Sequence, residues 1–407
     1  MTDRAGTFDG VHRRNLSKIL GLVHLDGPLS RARLTAATGL NRSTVASLAA
    51  ELVDLGLVEE RAPDPTNRVG RPSPVVAPHS GVVAIAVNPE VDAVTIAAVA
   101  LDGTIPARER VEMDDLVTPE QAARLTAEAV ARWRAPGGLL ADARPIAVGL
   151  AVPGLVRASD GLVRFAPHLD WRDAPIRALV EDATGLPAAV GNDASLGAMA
   201  EHLFGAGRGV DDLVYLNGGA SGIGGGVIVG GALIGGAGGY AGEFGQNRPG
   251  IDAPGDRLVP GGVLEDEVSR ARLLEVVGLR HADEPALAAA IEAATAGAEA
   301  SDAPESDASA PVADEIARQR RILGTALANA VNVLNPSVVI LGGFLATLAA
   351  QDPAALRDAV VAQAMPAAVE DVDLRVAALG EDRLLIGAAE AAFAALLADP
   401  MGVEGAA

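Results

Sequence analysis

The chain has 407 residues, with 32 Lys and Arg against 53 Asp and Glu, so its formal net charge at pH 7 is −21. A hydrophobic content of 49% with 21% charged residues is enough for two or three domains with substantial cores. The absence of cysteine excludes disulfides, thiolate metal sites and a thiol nucleophile, and an aromatic content of 2% disfavours recognition of single-stranded nucleic acid by base stacking.

The first forty residues carry the pattern of two short helices. The apolar spacing of residues 11–25 predicts an amphipathic helix, which Gly27 and the proline after it end. Ser30 is the expected N-cap of a second helix over residues 31–38. Gly39 follows at the position where a helix commonly ends in a left-handed residue.

A third helix is predicted to begin at Asn41 or Ser43 and to continue towards Leu55. Two helices joined by a tight turn that contains glycine are typical of a helix-turn-helix, in which the second helix enters the major groove of DNA. We therefore expect the polar side chains at the start of the third helix to face DNA, namely Asn41, Arg42, Ser43, Thr44 and Ser47.

Residues 57–60 and 75–76 predict two short strands that form a wing. Arg68 and Arg71 in the tip between them suit a narrow minor groove or a phosphate. Residues 1–80 hold 10 Lys and Arg against 8 Asp and Glu, whereas the rest of the chain has a net charge of −23. Double-stranded DNA should therefore contact the leading module alone. A three-helix bundle that docks another protein, with solvated arginines, is the alternative.

From Gly81 the pattern changes to short apolar runs separated by helical stretches rich in Ala and Leu. This alternation predicts an α/β fold with helices packed on mixed sheets. The segment from about 284 to 311 is rich in small and acidic residues, which predicts a flexible surface insert.

Six motifs occur in a fixed order along this body. They are Ala-Val-Pro-Gly-Leu-Val at 151–156, Ala-Pro-His-Leu-Asp-Trp at 166–171, Val-Gly-Asn-Asp-Ala at 190–194, Gly-Ile-Gly-Gly-Gly at 222–226, Gly-Glu-Phe-Gly-Gln at 242–246, and Asn-Pro at 335–336 followed by Gly-Gly at 342–343. Their order resembles that of the ROK family (repressor, open reading frame, kinase). With the helix-turn-helix in front, the chain is similar to the repressor branch, which responds to sugars in bacteria.

The resemblance implies a fold and a domain layout. An N-terminal winged helix-turn-helix DNA-binding domain over 1–80 would precede a two-lobed, sugar-kinase-like (actin/hexokinase-like) ROK body over 81–407. Lobe 1 would cover about 81–192 plus 387–407, and lobe 2 about 193–381, with a sugar in the cleft between them. The resemblance also implies a homodimer or a dimer of dimers.

Asn192 and Asp193 follow an apolar run, at the carboxyl end of a predicted strand, where α/β folds bind ligands. A carboxylate there can accept hydrogen bonds from sugar hydroxyls or remove a hydroxyl proton. An Asx turn that caps the next helix is the alternative, and the two roles can coexist. The resemblance implies that Asp193 contacts the sugar, and Asn192, Glu243, Gln246, Glu265 and His168 are further candidate contacts. For His168, an exposed loop histidine without a ligand is the alternative.

The first departure from the family's kinases concerns the nucleotide. Where these kinases carry Asp-x-Gly-Gly-Thr, this chain reads Asn-Pro-Glu-Val at 88–91. Pro89 lacks a backbone donor, and Glu90 would repel phosphate oxygens. The segments 218–226 and 342–343 are similar to the family's phosphate and adenosine loops, but their glycines also suit tight turns. We expect no enzymatic activity.

The second departure concerns metal. The resemblance places the family's zinc ligands, one His and three Cys, at Gln246, Asp256, Leu258 and Val263. We therefore expect no metal and no other cofactor. The segment from 246 to 265 would then be held by packing or ordered by the ligand.

These features together predict a repressor whose affinity for a double-stranded DNA operator is modulated by a small-molecule sugar. A sugar kinase that uses ATP and a ligand-independent DNA-binding protein whose body serves for oligomerisation are the alternatives. The chain shows neither an apolar signal segment at its start nor an apolar run long enough for a bilayer. We therefore expect a cytoplasmic protein without a membrane partner.

Overall fold

A computed structural model describes residues 3–62, 73–219, 222–251, 253–299 and 310–402; the side chains of residues 3–8, 254, 296–299 and 310 are not described. The described residues fall into two compact units. The first unit is bounded by Met1–Val156, Asp160–Gly191 and Leu385–Ala407, and the second by Arg157–Ser159 and Asn192–Leu384. The helix-turn-helix module therefore belongs to the same unit as the first part of the body.

Helices and strands alternate through most of the chain after residue 81. The helices are α1 (Asp3–Asp26), α2 (Arg31–Thr38), α3 (Arg42–Asp54), α4 (Pro119–Arg134), α5 (Ile176–Thr184), α6 (Asp193–Phe204), α7 (Leu264–Glu267), α8 (Arg270–Val276), α9 (Glu284–Glu299), α10 (Ala310–Leu334), α11 (Phe344–Gln351), α12 (Pro353–Val361), α13 (Pro366–Val369) and α14 (Arg383–Ala398). Within the described ranges, no helix is both long enough and apolar enough to cross a membrane.

Sixteen strands are described. They are β1 (Leu29–Ser30), β2 (Val58–Arg61), β3 (Val75–Pro78), β4 (Val82–Pro89), β5 (Ala93–Ala100), β6 (Ala107–Glu112), β7 (Arg144–Val152), β8 (Leu155–Val156), β9 (Val163–Ala166), β10 (Trp171–Ala174), β11 (Ala188–Asn192), β12 (Leu213–Gly219), β13 (Gly222–Val229), β14 (Ala232–Leu233), β15 (Val338–Gly343) and β16 (Asp373–Val376).

The leading module has the local structure that its sequence predicts. The Ser30 side chain accepts a hydrogen bond from the backbone N–H of Arg33, and Gly39 ends α2 with a φ of 72°. β2 and β3 pair antiparallel, and β1 adds to β3, which gives the sheet order β1-β3-β2. The wing strands are thus confirmed. The tip between them, with Arg68 and Arg71, lies outside the described residues.

The first unit is built on a five-stranded sheet of order β11-β7-β4-β5-β6. β4 pairs parallel with β7 and antiparallel with β5, so the sheet is mixed. A three-stranded sheet, β10-β9-β8, precedes α5. The core beside these sheets is aliphatic, with Trp133 and Trp171 among its few aromatic side chains.

The second unit is built on a sheet of order β14-β13-β12-β15-β16. β12 pairs antiparallel with β13 and parallel with β15. α9, α10 and α11 cover one core with apolar side chains such as Leu323, Leu327 and Phe344. This mixed sheet with helices packed on it is the α/β architecture that the alternating pattern predicts.

The prediction of a surface insert over 284–311 is wrong for its first half. Residues Glu284–Glu299 form α9, and its Leu287 and Ile291 are fully buried in the core of the second unit. These two residues are four apart, so they lie on one face of the helix. Packing of this apolar face against the core stabilises the helix. Residues 300–309 lie outside the described residues.

Candidate functional site

The second unit begins where β11 ends and α6 starts. The Asn192 side chain accepts a hydrogen bond from the backbone N–H of Ser195 at 2.9 Å, so Asn192 is the N-cap of α6. Asp193 is the first residue of the helix, and its carboxylate accepts from the N–H of Ala194 at 2.8 Å. The capping role weighed for Asn192 is therefore present. A sugar contact by either residue stays a prediction.

Asp193 has an unusual proton affinity. Burial raises the pKa of Asp193 to about 6, and the nearby charge of Glu243 adds to this rise, while the N–H of Ala194 and the charge of Arg383 oppose it. The carboxylate therefore changes charge near physiological pH. Such a group can accept hydrogen bonds when ionised and donate one when protonated.

Glu243 lies at the end of a glycine-rich loop, and its charge acts on Asp193. It precedes the 3-10 turn Phe244–Gln246 and is partly buried. Burial, followed by the charge of Glu265, raises the pKa of Glu243. The charge of Glu243 thus acts on Asp193 and that of Glu265 on Glu243, and we call these three residues the carboxylate cluster.

Glu265, on α7, is fixed by two hydrogen bonds. Its Oε2 accepts from the backbone N–H of Ile223 at 3.1 Å, and its Oε1 accepts from Nε2 of Gln246 at 2.6 Å. Glycine is required beside it, because a Cβ at Gly222 or Gly245 would overlap Oε2. The structure therefore brings together four of the predicted sugar contacts, Asp193, Glu243, Gln246 and Glu265.

The glycine-rich strand β13 sets the distance between the sheet and α6. A Cβ at Gly224 would lie 2.6 Å from the Cβ of Ala194, and a Cβ at Gly226 would lie 2.5 Å from the Cβ of Ala198. Glycines therefore allow the helix to approach the strand closely. This packing role accounts for two glycines of the segment that resembles a phosphate loop, while Ala220 and Ser221 at its tip lie outside the described residues.

His168 is exposed in the 3-10 turn Pro167–Leu169 of the first unit. It does not belong to the unit that carries the carboxylate cluster. Its proposed sugar contact stays a prediction.

In the turn over 88–91, the position that matches the nucleotide loop of the family's kinases, side chains of the protein bond to one another. The carboxylate of Glu90 accepts hydrogen bonds from Nδ2 of Asn88 at 3.2 Å, from Oγ1 of Thr95 at 2.9 Å and from Nη1 of Arg110 at 2.5 Å. The backbone N–H of Glu90 donates to the carbonyl of Ala93 at 2.7 Å. A phosphate in this turn would meet a carboxylate instead of free backbone donors.

The four positions that match the family's zinc ligands do not suit a metal. Gln246 donates to Glu265, the carboxylate of Asp256 accepts from Arg321, and Leu258 and Val263 have no side-chain ligand atom. In the described part of the chain, no group of three or more His, Asp or Glu side chains is placed to hold a metal ion.

The second predicted site is the start of α3. Oδ1 of Asn41 accepts from the backbone N–H of Thr44 at 2.9 Å and from Oγ of Ser43 at 2.7 Å, so Asn41 is the N-cap of the helix. Arg42, Ser43 and Ser47 are exposed, while Thr44 is half-buried. The polar face predicted to meet DNA is therefore accessible along the first two turns.

Sequence reasoning missed Arg383. This residue is 8% exposed, and its guanidinium donates to Glu284 at 3.3 Å and to the carbonyl of Gly380 at 2.6 Å. Its charge lowers the pKa of Asp193. No sequence signal links it to Asp193, because 190 residues separate the two positions.

The model of the ROK family matches residues 84–394, and the model of the IclR helix-turn-helix domain matches residues 19–62. A protein named xylose repressor from Caldicellulosiruptor bescii is 29% identical over 351 residues, which cover 81% of this chain and 83% of the relative. A glucokinase of Halalkalibacterium halodurans is 32% identical over 250 residues, which cover 60% of this chain and 74% of the relative.

Among solved structures, a ROK family transcriptional regulator described as a homologue of the E. coli MLC protein superposes with a TM-score of 0.73. It is 22% identical, and the superposition covers 95% of this chain and 97% of the other. This likeness shows that the fold, including the leading module, is shared over nearly the whole length.

Proposed function

The chain belongs to the ROK family, and from this premise we propose that it is a sugar-responsive transcriptional repressor that binds a double-stranded DNA operator through α3. The observation that carries the proposal is the presence, in one chain, of a helix-turn-helix with an exposed polar helix start and of a carboxylate cluster suited to sugar hydroxyls. A kinase has no need of the former.

The carboxylate cluster supports a sugar as effector. Ionised carboxylates accept hydrogen bonds from neighbouring hydroxyls, and Gln246 next to Glu265 offers both a donor and an acceptor. The names of the relatives, xylose repressor and glucokinase, favour a pentose or hexose. Asn192, Asp193, Glu243, Gln246 and Glu265 are the proposed contacts, with His168 as an additional candidate.

The sugar would act by shifting a population. It can change operator affinity only if it binds more tightly to one of two conformations that differ in DNA binding. Two winged modules in a homodimer or dimer of dimers would match an inverted-repeat operator with half-sites spaced by whole helical turns.

A sugar kinase is the second candidate. Asp193, with a pKa of about 6, has the proton affinity of a general base near neutral pH, and the likeness to a glucokinase points the same way. The occupied turn at Glu90 argues against it, because ATP phosphates need free donors there. We therefore propose that the protein is not an enzyme.

The test combines three assays on the purified full chain. A thermal-shift panel that includes D-xylose, D-glucose and ATP identifies the effector, selection from random duplexes supplies an operator, and fluorescence anisotropy measures operator affinity with and without the sugar. An assay for ADP produced from ATP in the presence of the same sugars tests for kinase activity.

Two variants separate the sites. Asp193→Ala should abolish the response to sugar and leave operator affinity unchanged. Arg42→Ala should weaken operator binding about tenfold and leave sugar affinity unchanged. Arg124→Ala, which removes an exposed helical arginine of the first unit, is the control.

Loss of operator binding in Asp193→Ala would contradict this division of roles. ADP production that depends on Asp193 would favour the kinase. Operator binding without any sugar effect would favour the ligand-independent DNA-binding protein.

A further inference from the structure

The described residues between Gln246 and Leu264, which exclude residue 252, have little regular structure of their own. They include the 3-10 turn Pro254–Asp256, three prolines and four glycines. They lead directly into Glu265 of the carboxylate cluster. We call residues 247–263 the site loop. Because ordering an irregular segment costs conformational entropy, its position must be fixed by contacts from outside.

One anchor is Glu267, on α7. Its side chain is fully buried, and its carboxylate accepts from the backbone N–H of Leu258 at 3.1 Å and from that of Val259 at 2.9 Å. Burial alone would raise the pKa of Glu267, but these N–H groups and the guanidinium of Arg318 outweigh it and hold the pKa below its usual value. The carboxylate of Glu267 is therefore ionised, and in this form it binds the middle of the site loop.

The second anchor is Arg318, on α10. Its Nη1 donates to Oε2 of Glu267 at 3.0 Å and to the carbonyl of Asp256 at 2.8 Å, and its Nη2 donates to the carbonyl of Glu267 at 2.6 Å. Glu315, one turn earlier on α10, accepts from Nε and Nη2 at 2.8 Å. The guanidinium thus joins the site loop, α7 and α10 through one planar, fully used set of donors.

Arg321 adds an outer pair. Its Nε and Nη2 donate to the two carboxylate oxygens of Asp256 at 2.9 and 2.7 Å. The Arg321 side chain is 55% exposed, whereas that of Arg318 is 7% exposed. The buried arginine should therefore carry most of the anchoring, because exposed ion pairs are weak.

We propose that Glu267 and Arg318, with Asp256, Glu315 and Arg321, form a metal-free clasp that positions the site loop and Glu265 for the effector. The proposal rests on the proposed function for the identity of the ligand. The four positions that match the family's zinc ligands, Gln246, Asp256, Leu258 and Val263, contain no such ligand set, and Arg318 instead ties the site loop to α7 and α10.

The geometry of α7 connects the clasp to the carboxylate cluster. Glu265 and Glu267 are two residues apart on a short helix, so their side chains leave it in different directions. Glu265 bonds the backbone of Ile223 on β13, while Glu267 bonds Arg318 on α10. Loss of the contact between Glu267 and Arg318 would let α7 move and would shift Glu265 away from Gln246. Arg318 is therefore a positioning residue.

The first experiment does not require a sugar. Hydrogen–deuterium exchange of the full chain would report the amides of Leu258 and Val259, which donate to Glu267. We expect at least tenfold faster exchange in Arg318→Met and in Glu267→Gln, a smaller change in Arg321→Met, and no change when EDTA is added to the parent protein. Arg375→Met, which removes an arginine that pairs with Asp373 and donates to the carbonyl of Ala206, is the control.

The second experiment measures affinity for D-xylose and D-glucose by calorimetry. We expect Arg318→Met to bind the sugar that the parent binds at least tenfold more weakly, with unchanged operator affinity and with partial rescue in Arg318→Lys, which retains the charge but not the fork of donors. Unchanged operator affinity also shows that the first unit of the variant is folded. If Arg318→Met does not fold, Glu267→Gln and Arg321→Met carry the comparison.

Unchanged amide exchange at Leu258 and Val259 in both Arg318→Met and Glu267→Gln would overturn the proposal. So would faster exchange, or weaker sugar binding, of the parent in EDTA, because either result would show a metal cross-link. A parent protein that binds neither sugar would count against the proposed function alone, since the exchange experiment still decides whether the clasp holds the site loop.

Discussion

Asp193 is subject to two opposing influences at the level of a single residue. It stands in the first turn of α6, where the helix dipole and the N–H of Ala194 favour negative charge. Burial and the neighbouring Glu243 disfavour that charge more strongly, so the pKa rises to about 6. A charged group retained at such a cost is typical of a binding or reacting position.

The raised pKa predicts how effector binding depends on pH. The ionised carboxylate is the better hydrogen-bond acceptor for a sugar hydroxyl, so affinity should be constant above about pH 7 and should fall about tenfold per unit well below pH 6. Sugar titrations between pH 5 and 8 would measure this. A profile that is flat down to pH 5 would contradict a contact through ionised Asp193.

The same shift has a consequence for stability. Because the folded state binds the Asp193 proton more tightly than the unfolded state, this residue costs stability above about pH 6, and the cost disappears towards pH 4. Asp193→Asn should therefore raise the free energy of unfolding at pH 7 by up to about 3 kcal/mol and have little effect at pH 4. Thermal unfolding at both pH values, with the exposed Asp182→Asn as control, would test this.

At the level of elements, α3 uses the same residues to begin the helix and to face DNA. Asn41 caps the helix with the side-chain oxygen that accepts from Thr44 and Ser43. A substitution at Asn41 therefore mixes a loss of stability with a loss of contact. The two effects can be separated, since a carboxylate caps as well as an amide but is repelled by phosphates.

We predict different outcomes for two changes at this position. Asn41→Ala should lower the free energy of unfolding by about 1 kcal/mol, whereas Asn41→Asp should leave it nearly unchanged. Asn41→Asp should weaken DNA binding at least as much as Asn41→Ala does. Chemical denaturation and operator anisotropy on both variants would measure the two quantities. Equal operator affinity for Asn41→Asp and the parent would place Asn41 away from DNA.

The helix α9 was not predicted from the sequence. Its composition is small and acidic, and this average hides Leu287 and Ile291, whose four-residue spacing places both in the core. Composition therefore predicted a surface segment where tertiary packing stabilises a helix.

At the level of the whole molecule, the helix-turn-helix module is joined to the rest of the first unit through buried polar contacts. Nδ1 of His24 on α1 lies 2.7 Å from the carbonyl of Leu101, and Nε2 lies 3.1 Å from the carboxylate of Glu390 on α14. Phe393 presents its ring to the imidazole at 5.7 Å. These contacts come from three parts of the chain, so the module is held to the body by more than its linker.

This junction should be sensitive to pH. Burial by itself would lower the pKa of His24, but the carboxylate of Glu390 and the carbonyl of Leu101 outweigh it and raise the pKa above its usual value. The stability that protonated His24 contributes is therefore complete below pH 6.5 and is lost as pH rises through the raised pKa.

His24→Gln should remove that part of the pH dependence and should destabilise the protein at pH 6 by about 3 kcal/mol, because Glu390 stays buried without a cationic partner. Thermal unfolding of parent and variant from pH 6 to 9 would show a difference that narrows as pH rises. A constant difference over this range would mean that His24 is neutral in the folded protein.

The sequence by itself determined the local structure of the leading module, the order of strands and helices, the family, and the positions of Asn192 and Asp193 at a strand end. These features depend on residues that are near each other in the chain, where spacing, caps and glycine turns act directly. Only the tertiary structure decided which side chains pair: the charge of Arg383 acts on Asp193, Arg318 bonds Glu267, and His24 bonds Glu390. It also decided that residues Glu284–Glu299 form the helix α9. In each case the physical reason is the same, since buried charges and apolar faces are satisfied by residues that folding brings together from distant parts of the chain.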